Sequence, residues 1–188
     1  MLRDLIVQNR SCRRFHQESV DKKTLEELVD LARLSATGGN RQSLKFLLSW
    51  EPETNDRIFP LIGLAGNPGR DEAPTAYIII LGDTAISAHL GCDHGIAAQS
   101  ILLGATEIGL GGCMVGIIDR KKLRAVLEIP DRYEIALLLI IGKPKEQPVI
   151  DVVPESGEVR GWWDDDGVRH VPKRALDEII LAKTAVPS

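Results

Sequence analysis

The most constraining feature of the chain is the order of structural signals between residues 95 and 144. An apolar stretch of helical character comes first, glycines follow, and an apolar strand comes last, closed by Gly142-Lys143-Pro144. A dinucleotide-binding turn has the opposite order, since its glycines follow a strand and open a helix. The glycines here therefore predict a place where backbone approaches a large flat group that a Cβ would keep away. They are Gly109, Gly111, Gly112 and Gly116.

The rest of the chain carries helical and strand periodicity in mixed order. Four apolar runs predict strands, at residues 44–50, 76–81, 112–118 and 133–141. The predicted helices include His94 to Ile108 with Asp93 as its cap, Thr84 to Leu90, and Lys173 to Lys183 opened by Pro172. Because strict strand–helix alternation is missing, the sequence predicts an α+β fold.

Charge, cysteines and apolar runs restrict size, partners and location. A chain of 188 residues is most simply one domain, or one protomer of an intertwined dimer. A net charge of −4 argues against nucleic acid, and the longest apolar run, residues 135–141, is too short to cross a bilayer. Three cysteines without a C-x-x-C pair are typical of a reducing compartment, and residues 1–10 do not resemble a signal peptide. We therefore expect a cytoplasmic protein without nucleic-acid or membrane partners.

Positive charge is concentrated near both ends of this acidic chain. One cluster is Arg10, Arg13 and Arg14, and the other is Arg169, Lys173 and Arg174. Two solvated basic patches would account for this composition. Alternatively, the chain ends meet in space and share one small anion such as a phosphate.

A polar loop at residues 35–43 offers a second candidate site. Asn40 and Gln42 lie two residues apart beside two glycines, and their amides both donate and accept hydrogen bonds. The heteroatom edge of a flavin ring requires such groups. An ordinary surface loop has the same composition, so the loop alone leaves both interpretations open.

Other common chemistries have weaker support. His89, Cys92 and His94 have metal-like spacing, but no second cluster completes a set of four ligands. Cys12 lies among arginines that would lower its pKa, yet only His16 is near enough in sequence to act as its base. Serine-hydrolase and P-loop motifs are missing.

Three motifs, taken in order, resemble the nitroreductase-like FMN-dependent oxidoreductases. Residues 10–15, Arg-Ser-Cys-Arg-Arg-Phe, resemble the family's Arg-Ser-x-Arg-x-Phe motif, and residues 37–42 resemble its Ser-x-x-Asn-x-Gln loop. The block from Gly95 to Pro144 is similar to the family's central helix, Gly-Leu-Gly turn and closing Gly-x-Pro. The family's Pro-Trp after the glutamine is Ser43-Leu44 here, and the region between the strands at 44–50 and 76–81 is short, which leaves the substrate class open.

The resemblance implies a nitroreductase-like fold, with a central, mostly antiparallel sheet flanked by helices, in an intertwined homodimer. The whole chain, residues 1–188, would form one FMN-binding domain, and residues 143–188 would be an extension returning to the cofactor site or to the partner subunit. The implied cofactor-binding residues are Arg10, Ser11, Arg13, Asn40, Gln42, Gly111, Gly112, Lys173 and Arg174, with the loop amides often supplied by the partner.

The implied activity is ping-pong hydride transfer from NAD(P)H through FMN to an electron-poor small-molecule acceptor. Because the flavin carries the chemistry, we assign neither a catalytic residue nor a metal ligand. The alternative is a flavin-binding dimer without turnover, such as a sensor or carrier. Both proteins would be yellow, but only the enzyme would bleach with NAD(P)H.

Overall fold

The computed structural model describes residues 1–181, which form two compact units meeting at Glu146 and Gln147. The first unit contains the helices α1 (Leu2–Gln8), α2 (Lys22–Leu34), α3 (Pro52–Ile58), α4 (Asp93–Glu107) and α5 (Arg120–Val126). Its strands are β1 (Phe15–His16), β2 (Leu44–Ser49), β3 (Ala76–Asp83), β4 (Gly111–Val115) and β5 (Tyr133–Pro144). Short 3-10 turns cover Gly38–Asn40, Phe59–Leu61 and Arg70–Glu72.

The five strands form one antiparallel sheet centred on β5. Strand β3 lies between β2 and β5, while β4 and β1 both pair with the C-terminal part of β5. The predicted α+β class with a mostly antiparallel sheet is confirmed. The register defines two ends of the sheet. Leu44 and Gly82 face each other at one end, and Gly111 and Gly142 face each other at the other.

Each face of the sheet carries its own hydrophobic core. Helices α3 and α5 cover one face, where Phe15, Tyr77 and Leu138 are buried. Helices α2 and α4 cover the other face, and α4 is buried on most sides, as its apolar sequence predicts. Gly104 lets α2 approach α4 closely, because a Cβ there would overlap the Leu31 side chain.

The start of α4 differs from the prediction. Cys92 is the N-terminal cap, and Asp93 is the first helical residue. The helix predicted from Thr84 to Leu90 is wrong, since this segment forms turns. The carboxylate of Asp83 starts those turns by accepting a hydrogen bond from the Ala85 N–H at 3.1 Å.

The second unit is a small three-stranded sheet with one short helix. Strand β6 (Val149–Val152) pairs in parallel with β8 (Arg169–Lys173), and β7 (Trp162–Trp163) pairs with β8 in antiparallel fashion. The helix is α6 (Leu176–Ile179). Among residues 1–181, no helix is long and apolar enough to span a membrane.

The helix predicted from Lys173 to Lys183 is therefore wrong at its start, and Lys183 lies outside the described residues. Pro172 is inside β8, opposite Asp151 of β6. Strand β7 pairs with β8 only at positions 169 and 170, so Pro172 has a single neighbouring strand. A proline is tolerated there because its missing N–H leaves no ladder bond unmade on the open side.

Candidate functional site

The arginine-rich segment after α1 lies directly against the glycine-rich start of β4. Ser11 forms a parallel bridge with Gly112, and the Cys12 N–H donates to the Gly112 carbonyl at 3.0 Å. The structure thus brings together two parts of the predicted site that are about a hundred residues apart in sequence.

The arginines of this segment differ in their partners. Arg14 forms an ion pair with Glu72, which also accepts from Lys145 at 2.8 Å. These contacts, led by the Lys145 hydrogen bond, lower the pKa of Glu72. Within residues 1–181, neither Arg10 nor Arg13 has an ion pair with a carboxylate. Arg14 is therefore neutralised by the chain itself, whereas Arg10 and Arg13 remain available to an anion.

Arg10 carries the clearest sign of a missing ligand. Its Nη2 donates to the Ile6 carbonyl at 2.5 Å, but its Nε is buried and has no partner in the described structure. Burial also lowers the pKa of Arg10. A buried N–H donor without an acceptor is costly, and an anion accepting from Nε would remove that cost. The site therefore fits the phosphate of a nucleotide-like cofactor such as FMN.

Lys143 adds a cation that our sequence interpretation did not assign to the site. Its Nζ lies 3.8 Å from the position that a Cβ on Gly109 would occupy, and no carboxylate pairs with it among residues 1–181. Lys143 directly follows Gly142, which faces Gly111 across the sheet. The lysine inside the sequence Gly142-Lys143-Pro144 was the feature that could have indicated a cation at this position.

Glycine occupies the positions of this turn for different structural reasons. Gly109 ends α4 with φ of +77°, a left-handed conformation typical of a helix C-terminus. At Gly112, a Cβ would overlap the Ile140 carbonyl and lie 2.8 Å from Leu102 Cδ2. Packing inside the chain thus already requires glycine at position 112. A Cβ on Gly111 would meet side-chain carbons of Cys12 and Pro144, the nearest at 3.3 Å, so packing restricts position 111 less than position 112, and Gly111 is the better indicator of an external flat group.

The loop with Asn40 and Gln42 is fixed to the beginning of α4. The Gly38 N–H donates to Asp93 Oδ1 at 2.9 Å, and Asp93 is buried. Both Asn40 and Gln42 have φ of +52°, an uncommon conformation for residues other than glycine, and both are exposed. Their side chains therefore face outward from a strained and anchored loop.

Within the first unit the loop and the arginine segment lie at opposite ends of α4. The loop is anchored at the first residue of α4, while Gly111 and Gly112 follow its last turn. Helix α4 has 15 residues and is therefore about 22 Å long. The sheet register gives the same result, because Leu44 and Gly111 are at opposite ends. One chain alone does not bring Asn40 and Gln42 to Arg10.

Lys173 and Arg174 lie in the second unit. The Lys173 carbonyl accepts from the Val153 N–H at 3.1 Å, and Arg174 pairs with Glu178 at 3.2 Å. Both side chains are exposed. Their predicted role at the phosphate stays a prediction.

The other chemistries considered from sequence gain no support. Cys12 is buried, and desolvation, followed by the charge of Glu146, raises its pKa to about 12, which is the reverse of the shift that its neighbouring arginines suggested. Residues 1–181 contain no group of three or more His, Cys, Asp or Glu side chains that could hold a metal ion. Asp93 serves instead to anchor the Gly38 loop.

A sequence profile described as the nitroreductase family matches residues 6–76 and 64–143. The chain belongs to the nitroreductase family. It is 27% identical over 152 residues to a Methanothermobacter thermautotrophicus protein provisionally assigned as an NADH dehydrogenase/NAD(P)H nitroreductase, covering 77% of this chain and 78% of the relative. An Archaeoglobus fulgidus protein with the same assignment is 24% identical over 154 residues, covering 76% and 85%.

Solved structures share the fold. A nitroreductase family protein from Streptococcus pneumoniae superposes with a TM-score of 0.75 at 19% identity, over 97% of this chain and all of the other. The NADPH:FMN oxidoreductase of Vibrio harveyi, solved with NAD⁺, gives 0.68 at 18% identity, over 82% and 74%. The protein is thus an enzyme of this oxidoreductase family.

The family match ends at residue 143, within the first unit. It includes the arginine segment, the Asn40 loop and the glycine turn. Lys173 and Arg174 lie beyond it, so their assignment depends on the sequence resemblance alone.

Proposed function

We propose that this nitroreductase-family protein is an FMN-dependent NAD(P)H oxidoreductase that reduces an electron-poor small molecule by ping-pong hydride transfer. The observation that carries the proposal is the buried, unpartnered Nε of Arg10 beside the glycine turn. The relatives named as NAD(P)H nitroreductases and the fold shared with an NADPH:FMN oxidoreductase support the same activity.

The arginine segment would hold the phosphate and the ribityl chain. Arg10 and Arg13 supply guanidinium donors that have no carboxylate partner among residues 1–181, and Ser11 is exposed between them. Lys143, near Gly109, adds positive charge on the neighbouring strand. Charge-assisted hydrogen bonds of this kind are stronger than neutral ones, so they can hold the cofactor without a covalent link.

The geometry of one chain favours a site completed by a second copy. Asn40 and Gln42 lie about one length of α4 from the arginine segment of their own chain, which is about 22 Å. A homodimer would place these amides against the cofactor held by the partner's arginine segment. In this arrangement the loop would lie along the edge of the flavin ring and orient the ring by hydrogen bonds to its heteroatoms.

When bound, FMN would supply the hydride chemistry, taking a hydride from NAD(P)H and passing it to the acceptor. The residues of the chain bind, orient and shield, and none is assigned as an acid or base. The backbone at Gly111 would lie near the ring, while Gly112 would shape the strand beneath it.

The extension after residue 143 would complete the same domain. We propose that Lys173 and Arg174 return to the phosphate, in the same subunit or in the partner, and that the protein works in the cytoplasm. Deletion of residues 147–188 should then weaken FMN binding while leaving the fold of the first unit.

The decisive experiment is an anaerobic titration of the FMN-loaded protein with NADH and, separately, with NADPH. Loss of the oxidised flavin absorbance, followed by its return on addition of an acceptor such as nitrofurazone or menadione, is the expected result. A yellow protein that neither nucleotide bleaches would instead be the flavin-binding sensor or carrier. A colourless protein that takes up no FMN would overturn the proposal altogether.

A further inference from the structure

A cavity of about 170 Å³ lies on the face of the sheet covered by α3. Neither Arg10, Arg13 nor Lys143 lines it. Its walls come from the end of β2, the start of β3, helix α3 and the segment 70–75. Trp50, Phe59 and Tyr77 supply aromatic surfaces. A half-open cleft with mainly apolar walls and a few polar groups is typical of a small-molecule site.

The polar groups around the cavity separate into two kinds. Most are used to hold the walls. Asn55 accepts from the Ser49 hydroxyl at 2.7 Å and donates to the Thr75 carbonyl at 2.7 Å, and Gln17 donates to the Ala73 carbonyl at 3.0 Å. These bonds join β2, α3 and the segment before β3. These bonds thus fix the framework of the cavity without a ligand.

Two hydroxyls remain unused. Tyr77 is completely buried, and neither its Oη nor the buried Oγ1 of Thr75 has a hydrogen-bond partner in the described structure. Both residues line the cavity. Buried polar atoms are rarely left unsatisfied, and leaving one so costs about 1–3 kcal/mol. Neither oxygen is accessible to water in this structure, so an acceptor group that enters from outside would reach them by displacing part of the cavity wall.

The charge near the cavity restricts the ligand further. Burial first, and then the negative charge of Asp56, raises the pKa of Tyr77, so the phenol is neutral and acts as a donor. Asp56 also pairs with Arg70 at 3.2 Å on the exposed rim. Because Arg70 offsets the charge of Asp56, the rim has no net charge that would attract an ion, and an amide N–H₂ could donate to Asp56.

We propose that this cavity is a binding site for a neutral, single-ring aromatic amide or carbonyl compound. The ring packs between Trp50 and Phe59, and the carbonyl oxygen accepts from Tyr77 Oη and Thr75 Oγ1. The residues that line this cavity are different from those of the proposed cofactor site, and the proposal does not rest on that site.

The test is ligand-observed ¹⁹F NMR with 4-fluorobenzamide on the full chain. Saturable binding is expected, and Tyr77→Phe and Thr75→Val should each weaken it roughly three- to tenfold by removing one donor. Arg10→Ala and saturating FMN should leave the affinity unchanged. Fluorobenzene, which has no acceptor, should bind the wild type and Tyr77→Phe equally.

Circular dichroism and melting curves of the two variants provide the second measurement. Each substitution removes an unsatisfied group while keeping its shape, so the variants should melt within a few degrees of the wild type. A cleft filled only by water would show no saturable binding, which would overturn the proposal. Equal binding by Tyr77→Phe and wild type, or displacement of the ligand by FMN, would also overturn it.

Discussion

The Cys12 N–H donates to the Gly112 carbonyl at 3.0 Å and so fixes the arginine segment to the turn that follows α4. This one bond joins the two sequence features that first indicated a cofactor. Arg10, with its unpartnered Nε, and Lys143 lie at the same end of the sheet. The charge of this end and the shape of its turn together make it the best candidate for binding a phosphate-bearing flavin.

Arg10→Ala and Arg13→Ala should each weaken FMN binding. Each variant loses a charge-assisted contact worth about 1.5–3 kcal/mol, which corresponds to one to two decades in Kd. Quenching of FMN fluorescence on titration measures the effect. Arg14→Ala is the matched control, because Glu72 already neutralises Arg14, and its Kd should change least. Equal Kd values in all three variants and the wild type would remove Arg10 and Arg13 from the site.

The separation of the two half-sites within one chain gives a complementation test. Arg10→Ala/Arg13→Ala and Asn40→Ala/Gln42→Ala should each bind FMN poorly alone. Mixed and reassociated, they should regain up to one intact site per mixed dimer, because each chain supplies the half that the other lacks. Binding that stays low in the mixture, with mixed dimers shown by native mass spectrometry, would mean that each site lies within one chain.

The shared site also links cofactor binding to assembly. Dilution to monomer should release flavin, and added FMN should raise the melting temperature by mass action. Analytical ultracentrifugation with absorbance detection at a flavin wavelength follows both species at once. A monomer that stays fully loaded with FMN would contradict the shared site.

Gly111 and Gly112 should respond differently to substitution. Gly112→Ala should lower the stability of the cofactor-free protein by about 1–3 kcal/mol, since the new Cβ meets the Ile140 carbonyl, and Gly112→Asn should do no better. Gly111→Ala should lower the stability of the cofactor-free protein less than Gly112→Ala does, since its Cβ meets side-chain carbons at 3.3 Å, and it should weaken FMN binding. Urea unfolding without cofactor and FMN titration separate these effects. Normal FMN binding by Gly111→Ala would place the ring elsewhere.

Sequence patterns predicted those parts of the fold that depend on local periodicity. The apolar run at Ala76 to Leu81 became the fully buried β3, and the apolar helix after Asp93 became α4. Pro172 was misread because its place in a strand depends on β7 ending its pairing at His170, which is a tertiary fact.

The site shows the same division between local and tertiary information. The sequence motifs indicated Arg10 and Asn40, but not that α4 separates them. The neighbouring arginines in the sequence suggested a lowered pKa for the Cys12 thiol, yet burial raises that pKa. Lys143 was missed because its approach to Gly109 depends on the pairing of β5 with its neighbours.

His170 should make the second unit sensitive to pH. Its Nδ1 lies 2.5 Å from Asp151 Oδ2, its Nε2 lies 3.0 Å from Asp164 Oδ2, and Trp162 stacks on its ring at 4.0 Å. These contacts, led by the Asp164 hydrogen bond, raise the pKa of His170 above its ordinary 6.5. The same hydrogen bond is the main cause that lowers the pKa of Asp164 below 3.8.

The signs of the two shifts define the pH window. A raised histidine pKa contributes stability that is complete below pH 6.5 and is lost as the pH rises through the folded-state pKa. A lowered aspartate pKa contributes stability that is present above pH 3.8 and is lost as the pH falls through its folded-state pKa. The cluster should therefore be most stable between about pH 4 and pH 6.5.

A Trp50→Phe/Trp163→Phe background leaves Trp162 as the fluorescent reporter, and its emission should change as the pH rises through the folded-state pKa of His170. His170→Gln should abolish this transition, and Asp164→Asn should move it to lower pH. A transition that persists in His170→Gln would assign the pH dependence to another group.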